Sequence, residues 1–281
     1  MKKQVFLFMF LILSVVLVNA QIENDEVGAR GSFLSTRPLI EKTISNSAEK
    51  PTKKPNSSQK SNVKNTSVSK TKATLGIGYT LYLKGKSDEV IRVNSTREFH
   101  AGEAIRIVVE PNIDGYLYVF HTENDGQATM IFPDARLKRG DNRVQAHVPY
   151  EVPSSDNPEA SLQWFVFDEK SATEKVYLVL SRTPIDKVPS SEELVRFCQN
   201  NQSACPWKVN EALWQDLKSS ANTSLKVSKN NDQGELQSGV EKRSIKEVAP
   251  LGKKSSAPTV IYMHRSLESD KLVTPVNLVH K

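Results

Sequence analysis

The two cysteines of the chain are the first residues that could do chemistry. Cys198 and Cys205 are separated by six residues. If the chain is exported, as its first residues indicate, an even cysteine count favours a disulfide. Closing so short a loop would restrict the unfolded chain by about 2–3 kcal/mol. Redox catalysis needs the tighter C-x-x-C spacing, and zinc needs more ligands close by. We therefore predict a structural disulfide.

The histidines do not form a metal-binding pattern. No two of them stand at metal-ligand spacing, and the sequence has no H-E-x-x-H. One group, His121 with Glu123 and Asp125, could form a small cation site, but these residues are better interpreted as ordinary polar groups at a strand end and turn. We expect no metal and no cofactor. The five histidines are His100, His121, His147, His264 and His280.

Four glutamates are candidates for a pair of catalytic carboxylates. A glycosidase needs two carboxyl groups that flank the scissile bond. These side chains stand at predicted strand ends, which commonly carry glutamates, so a catalytic pair is not favoured. The sequence has no G-x-S-x-G elbow, phosphate-cradling loop or dinucleotide fingerprint. We therefore expect a protein that is not an enzyme, and a carboxylate-dependent cell-wall hydrolase is the less favoured alternative. The four are Glu98, Glu103, Glu110 and Glu174.

An aromatic stripe follows one predicted strand. Tyr116, Tyr118 and Phe120 alternate with Leu117 and Val119, so they share one face. If that face is exposed, the stripe is a candidate binding surface for sugar or peptide. If a second layer covers it, the stripe is core, and this interpretation is favoured because a sheet must bury a face.

Period-two alternation predicts the strands that position these residues. Residues 104–110, 116–121 and 127–132 form the centre of the pattern. They are separated by Asn112–Gly115 and by Asn-Asp-Gly at 124–126, which are typical of reversing turns. With the neighbouring runs, this predicts a mainly β fold of about eight strands over residues 75–187. The favoured architecture is a β-sandwich, and a small barrel is the alternative. The neighbouring runs are 78–84, 89–93, 142–148, 162–168 and 175–182, and 150–158 is interpreted as a loop.

After this domain the apolar period becomes helical. Ser190 and Glu193 have capping-box spacing, and Pro206 suits the first turn of a second helix. Residues 188–218 are therefore predicted to form a small helical hairpin that carries the disulfide. Residues 219–258 are predicted to be a polar linker. Residues 259–281 are predicted to form two strands that return to the main sheet, with Pro275 restricting the last one to an edge.

The first 20 residues predict export. Two lysines, an apolar run and small residues ending at Ala20 are typical of a signal peptide that is cleaved after Ala20. Retention of this segment as an N-terminal anchor is the alternative. Residues 21–74 are rich in Lys, Ser and Asn and are predicted to be a disordered linker.

The net charge is modest. It is +6 for the whole chain, the apolar content is 38%, and the mean hydropathy is −0.45. Two of these positive charges belong to the leader, and many others to the predicted linker. A nucleic-acid-binding surface is therefore not expected.

The stretch from Phe99 to Asp134 resembles a bacterial family, the domain of unknown function 4384. The resemblance covers about Ile77–Arg182 and implies an exported, β-rich accessory module without an agreed activity, so no catalytic residue is carried over. The residues that carry it are Phe99, Gly102-Glu103, Arg106, Glu110-Pro111-Asn112, Asp114 to Val119, Asp125-Gly126, Phe132-Pro133, Thr173-Glu174 and the tail Leu278-Val279-His280.

These observations lead to one expectation about function. We expect a non-enzymatic binding or scaffolding module of the bacterial envelope, periplasmic or extracellular, with an envelope protein or a glycan as its partner. We expect no nucleic-acid partner and no stable membrane insertion after cleavage. A structural component that self-associates is the alternative, and the sequence does not determine the oligomeric state.

Overall fold

The computed structural model describes residues 28–40, 73–86, 89–200, 205–221 and 224–281. The predicted signal peptide, its cleavage site and most of the predicted N-terminal linker lie outside these ranges. The described elements are α1 (residues 28–35), β1 (Gly76–Lys84), β2 (Val90–Val93), β3 (Glu98–Phe99), β4 (Ala104–Pro111), β5 (Gly115–Glu123), β6 (Thr129–Phe132), β7 (Arg143–Val144), β8 (Tyr150–Val152), β9 (Phe165–Val166), β10 (Ala172–Ser181), α2 (Ser191–Asn200), α3 (Glu211–Ser219), β11 (Leu225–Lys229), α4 (Gly239–Glu247), β12 (Val260–His264) and β13 (Lys271–His280).

The strands form two sheets that pack face to face, as predicted for a β-sandwich. Sheet A has the order β11-β12-β1-β4-β8, with β2 also on β1 and β9 also on β4. Sheet B has the order β3-β13-β10-β5-β6, with β7 also on β5. The ladders are antiparallel except for the short pairing of β13 with β3. The mainly β architecture predicted from alternation is confirmed.

The central core lies between the two sheets. The inward side chains of β4 are Ile105, Ile107 and Val109, and those of β5 are Leu117 and Val119. All five are inaccessible to solvent. The predicted alternation of both strands is therefore confirmed at the core face.

A second core covers the outer face of sheet B. Helices α2 and α3 bring Leu194, Trp214 and Leu217 onto this face. They pack against Tyr118 and Phe120, and the Phe120 and Trp214 ring centroids are 5.9 Å apart. Both faces of sheet B are therefore buried, and the helical hairpin supplies the cover.

The outer face of sheet A is covered by α1 and by residues 230–259. Gly76 and Gly78 of β1 make this cover possible, because a Cβ atom at Gly78 would lie 2.3 Å from Pro258 and one at Gly76 would lie 3.1 Å from Phe33. Phe33 of α1 packs against both glycines and is fully buried. The absence of side chains at these two positions lets the covering layer approach the backbone.

The connection from β4 to β5 differs from the prediction. Residues 112–115 were expected to join two strands of one meander, but β4 belongs to sheet A and β5 to sheet B. The turn residues do reverse the chain. Their chemistry is the same for a hairpin and for a corner between sheets, so the sequence could not distinguish the two.

The segment predicted as a polar linker, residues 219–258, contains β11 and α4. This segment is held in place by pairing of its strand with sheet A and by buried ion pairs. Strand β11 pairs with β12 over five residues, and Asp232 binds Arg92 at 2.5 Å. Likewise, the loop predicted at 150–158 begins with β8, which pairs with β4.

The two C-terminal strands return to the sandwich, one to each sheet. Strand β12 lies between β11 and β1, and β13 lies beside β10. Along its other side β13 pairs with β3 only at Val279 and His280. The sandwich thus extends beyond the predicted domain at 75–187. Within the described ranges, the helices are too short and too polar for any of them to span a bilayer.

Candidate functional site: a cleft between the sheet edges

A large cleft lies where the edges of the two sheets meet. Edge strand β6 of sheet B and edge strand β8 of sheet A form its floor. Phe132 and Tyr150 meet there edge to face, with ring centroids 6.4 Å apart. The cleft has a volume of about 1040 Å³, which is at the upper end of small-molecule pockets and suits a longer ligand.

The lining of the cleft is mostly apolar. Side chains from both sheets, from the loop after β8, and from α2 and α4 contribute to it. Pro153, Leu162, Trp207 and Ile245 are only partly buried, so they remain accessible to a ligand. Accessible apolar surface in a concave site is typical of a binding site.

One wall is a segment held by the disulfide. The predicted bond between Cys198 and Cys205 is present. It joins the end of α2 to residues 205–209, which we call the strap. The Met130 N–H donates to the Trp207 carbonyl at 2.8 Å, and the Val209 N–H donates to the Ala128 carbonyl at 3.0 Å. The strap therefore pairs with the first part of β6 and leaves Ile131 and Phe132 as the lining beyond it.

The rim of the cleft is more acidic than basic. Five carboxylates and two cations line it, and several are already paired. Asp134 binds Arg136 at 2.6 Å. The Arg143 hydrogen bond lowers the pKa of Asp141 against the effect of partial burial. The other lining charges are Lys138, Glu151, Asp156 and Glu159.

Two of these carboxylates are available to a ligand. Asp156 and Glu159 are exposed, and within the described residues neither forms an ion pair within 4 Å. Glu151, in contrast, is buried against Arg106 at 3.3 Å. Burial lowers the pKa of Arg106, and the Glu151 charge opposes this. Lys138 is the exposed lining cation that forms no ion pair within 4 Å in the described part of the chain, so the available rim charges sum to −1, and the two negative ones lie on the loop after β8.

The Trp164 ring, which lines the cleft, already has cations over it. The Arg106 guanidinium lies 3.7 Å from its ring centroid, and the Lys84 ammonium lies 5.8 Å away. Sugar-binding sites commonly use an open aromatic face, and here a cation already occupies one. The geometry favours a ligand that binds along the apolar floor.

The aromatic stripe that was a candidate binding surface is not on the surface. Tyr118 and Phe120 are inaccessible to solvent, and Tyr116 is half-buried. The Tyr118 hydroxyl accepts a hydrogen bond from the Ile185 N–H at 3.0 Å. The stripe is part of the second core because helices α2 and α3 cover it, as the favoured alternative predicted.

Each glutamate of the candidate catalytic set has a basic side chain as its partner. Glu103 binds Arg97 at 2.7 Å, and Glu110 binds Arg37 at 2.6 Å. Glu174 binds His121 at 2.5 Å, and Glu98 binds Lys281. The structure distributes these carboxylates over four separate contacts with basic side chains and does not bring two of them together as an acid and a base.

The small cation site considered around His121 does not form either. His121 is paired with Glu174, while Asp125 binds Lys175 at 2.7 Å. Among the described residues, no group of three or more His, Cys, Asp or Glu side chains is placed to hold a metal ion.

The cleft itself was not foreseen from the sequence. Its proline and tryptophan residues come from separate loops, and only the meeting of the two sheet edges makes them neighbours. The run of Pro, Ser and Asp at 150–158 was the one available signal, since it marked a loop at this position.

The comparisons with known proteins find one similarity, to a family of unknown function. No curated protein and no solved structure is significantly similar to the chain. One family model matches residues 98–184 and is described as Domain of unknown function (DUF4384). The match runs from β3 through β10 and includes the cleft floor at Phe132 and Tyr150. Residues 98–184, which are 87 of the 281 residues, are therefore similar to this family.

Proposed function

We propose that this protein is a non-enzymatic binding module of the bacterial envelope, and that its cleft holds an extended, apolar and basic segment of a partner protein. The observation that carries the proposal is the apolar cleft of about 1040 Å³ between the two sheet edges. The signal-peptide pattern of residues 1–20 and the disulfide support action outside the cytoplasm.

The shape of the cleft supports an extended polypeptide as the ligand. Exposed sheet edges bind peptides by adding a strand through main-chain hydrogen bonds. The strap already binds β6 in this way at Ala128 and Met130. A partner strand that continued along β6 past Met130, or along β8, would place its side chains on the apolar floor.

The charge of the rim supports a basic ligand. The exposed carboxylates of Asp156 and Glu159 stand on the loop that borders the cleft. Complementary charge at a rim favours the correct partner and accelerates association. A segment with lysine or arginine beside apolar anchors would satisfy both the rim and the floor.

The ion pairs of the candidate carboxylates support binding over hydrolysis. A glycosidase needs one carboxyl group that gives up a proton and a second that acts as a base or nucleophile. In this chain the four candidate glutamates are engaged by Arg37, Arg97, His121 and Lys281. Because these four carboxylates are already engaged, a binding or scaffolding role explains them more simply than hydrolysis does.

Site-specific photo-crosslinking in the producing cells tests the proposal. A photoreactive amino acid replaces Pro158, which is exposed at the cleft, or Glu169, which is exposed outside the cleft. We expect one recurrent protein to be crosslinked from position 158 and not from position 169, with the crosslinked peptide apolar and basic. Recovery of glycan alone, or the same products from both positions, would overturn the proposal.

A titration of the crosslinked peptide then measures the role of the rim. Asp156→Lys with Glu159→Lys should weaken binding of that synthetic peptide by at least about tenfold, since two favourable charges become repulsive. The control is Glu169→Lys with Glu235→Lys, which changes the net charge equally at exposed positions outside the cleft. Equal affinity for both double variants would contradict a role for the rim. Release of fragments from purified peptidoglycan would instead revive the hydrolase alternative.

A further inference from the structure

Residues 28–40, which we call the arm, dock on sheet A through a buried arginine. The Arg37 side chain is inaccessible to solvent and forms a two-point ion pair with Glu110, at 2.8 Å from Nε and 2.6 Å from Nη2. Its remaining donors reach the carbonyls of Ser255 at 2.8 Å and Ser256 at 3.1 Å. A carboxylate with converging carbonyls is a specific site for a guanidinium.

Phe33 gives the arm a second anchor, one helical turn before Arg37. Its ring meets the His147 ring edge to face at 5.3 Å and lies over Gly76 and Gly78 of β1. His147 connects the two anchors, because its Nδ1 is 2.8 Å from Glu110 and its Nε2 is 2.8 Å from the Thr36 hydroxyl. The arm is thus recognised by its sequence and not only by its apolar character.

Nothing in these contacts requires the arm and the sandwich to belong to the same chain. Glu110 is 73 positions from Arg37, and the carbonyls of Ser255 and Ser256 are more than 200 positions away. The arm adds no strand to sheet A, and the stretch between residues 40 and 73 connects it to the sandwich. That stretch has a contour length of up to about 100 Å, so a neighbouring copy is within its reach.

We propose that the arm site is also a self-association site, at which the arm of one copy docks on sheet A of a second copy. The contacts are identical in the two arrangements, so the local concentration of copies determines their ratio. This inference is independent of the cleft, which lies at the sheet edges and does not include the arm.

A pair of engineered cysteines tests the exchange in the full-length mature chain. The Ile40 Cβ lies 3.2 Å from the position that a Cβ at residue 252 would take, close to the Cβ separation of roughly 3.5–4.5 Å in disulfides. The native cysteines are already bonded to each other. An Ile40→Cys chain is mixed with a Gly252→Cys chain of different mass, oxidised mildly and analysed without reductant.

We expect a crosslinked heterodimer whose yield rises with protein concentration. Adding Arg37→Ala to the Ile40→Cys chain should abolish it, because the arm loses its buried anchor. Ile40→Cys mixed with Lys170→Cys, at an exposed position outside the arm site, measures random collision. Ile40→Cys and Gly252→Cys in one chain must close internally, which verifies that both variants fold and that the geometry is correct. If that internal bond forms and the mixture gives no heterodimer above the Lys170→Cys control, the proposal is overturned.

Discussion

Buried charges occupy the outer face of sheet A at the scale of single residues. Arg92 binds Asp232 at 2.5 Å and Glu241 at 3.5 Å, and the Tyr82 hydroxyl donates to Glu241. Each pair is removed from water by the covering segment 230–259. A buried ion pair contributes little net stability compared with apolar packing, but it is costly to break. These contacts therefore specify where the covering segment lies more than how stable the fold is.

Glu241 provides a prediction about pH. Burial raises its pKa above the ordinary value of 4.5, while the Tyr82 hydrogen bond and the Arg92 charge act in the opposite direction. Above pH 4.5 the folded state thus binds more protons at this group than the unfolded state, so the free energy of unfolding decreases as the pH rises. Glu241→Gln removes this titration. Urea unfolding from about pH 4 to about pH 7 should show the variant gaining stability relative to the wild type.

The control for this prediction lies in the same helix. Glu247 is exposed, so Glu247→Gln makes the same chemical change in the same helix without replacing a buried carboxylate, and its urea unfolding is measured over the same pH range for comparison. The quantity compared is the free energy of unfolding of Glu241→Gln minus that of the wild type. If this difference stays constant or decreases as the pH rises, burial does not destabilise the ionised form of Glu241.

At the scale of elements, the sequence predicted best where side chains alternate. Strands β4, β5 and β10 were found because every second side chain enters the central core and is apolar, although covering layers bury their outer faces as well. Helix α4 and strand β11 were missed because their contacts are with distant residues, such as Glu241 with Tyr82 and Ser228 with Ile261. The local polarity of residues 219–258 predicted a linker. The segment is ordered instead because its residues contact partners that are far away in the sequence.

The same reason explains why the candidate site was only partly predictable. The disulfide followed from two cysteines and their spacing, and it is present. The cleft depends on the meeting of β6 and β8, and no local pattern indicates which strands end at a sheet edge. The glutamates looked equivalent in the sequence, and only their cationic partners show that they are engaged.

The strap provides a prediction at this scale. Cys198→Ser with Cys205→Ser should lower the free energy of unfolding by about 2 kcal/mol, because the unfolded chain is no longer restricted. It should also accelerate amide hydrogen exchange at Met130 and Val209, whose N–H groups form the hydrogen bonds between β6 and the strap. Exchange measured by NMR or mass spectrometry tests this, with the β10 amides as the internal control. Unchanged exchange at both positions would mean that the strap keeps its hydrogen bonds to β6 without the disulfide.

The whole molecule is larger than the part that the family model matches. Residues 98–184 include β4 and β10 but not their partners β1 and β13. Strand β10 pairs with β13 over ten residues, and β4 pairs with β1 over seven. The central core also needs Ile77 and Leu278, which lie outside the match. The cooperative unit must therefore include strands from both ends of the described chain.

Excision of the matched part tests this organisation. A fragment of residues 98–184 would expose one edge of β4 and one of β10 together with the apolar faces that β1 and β13 cover, and such edges promote aggregation. We expect the fragment to give no cooperative transition in urea, as followed by circular dichroism and tryptophan fluorescence, whereas the mature chain unfolds cooperatively. A matched fragment of residues 28–281 retains every described element and should behave like the mature chain. A cooperative transition in the 98–184 fragment would mean that the outer strands are additions to an independent core, and the cleft, whose floor lies within that fragment, should then be studied in it alone.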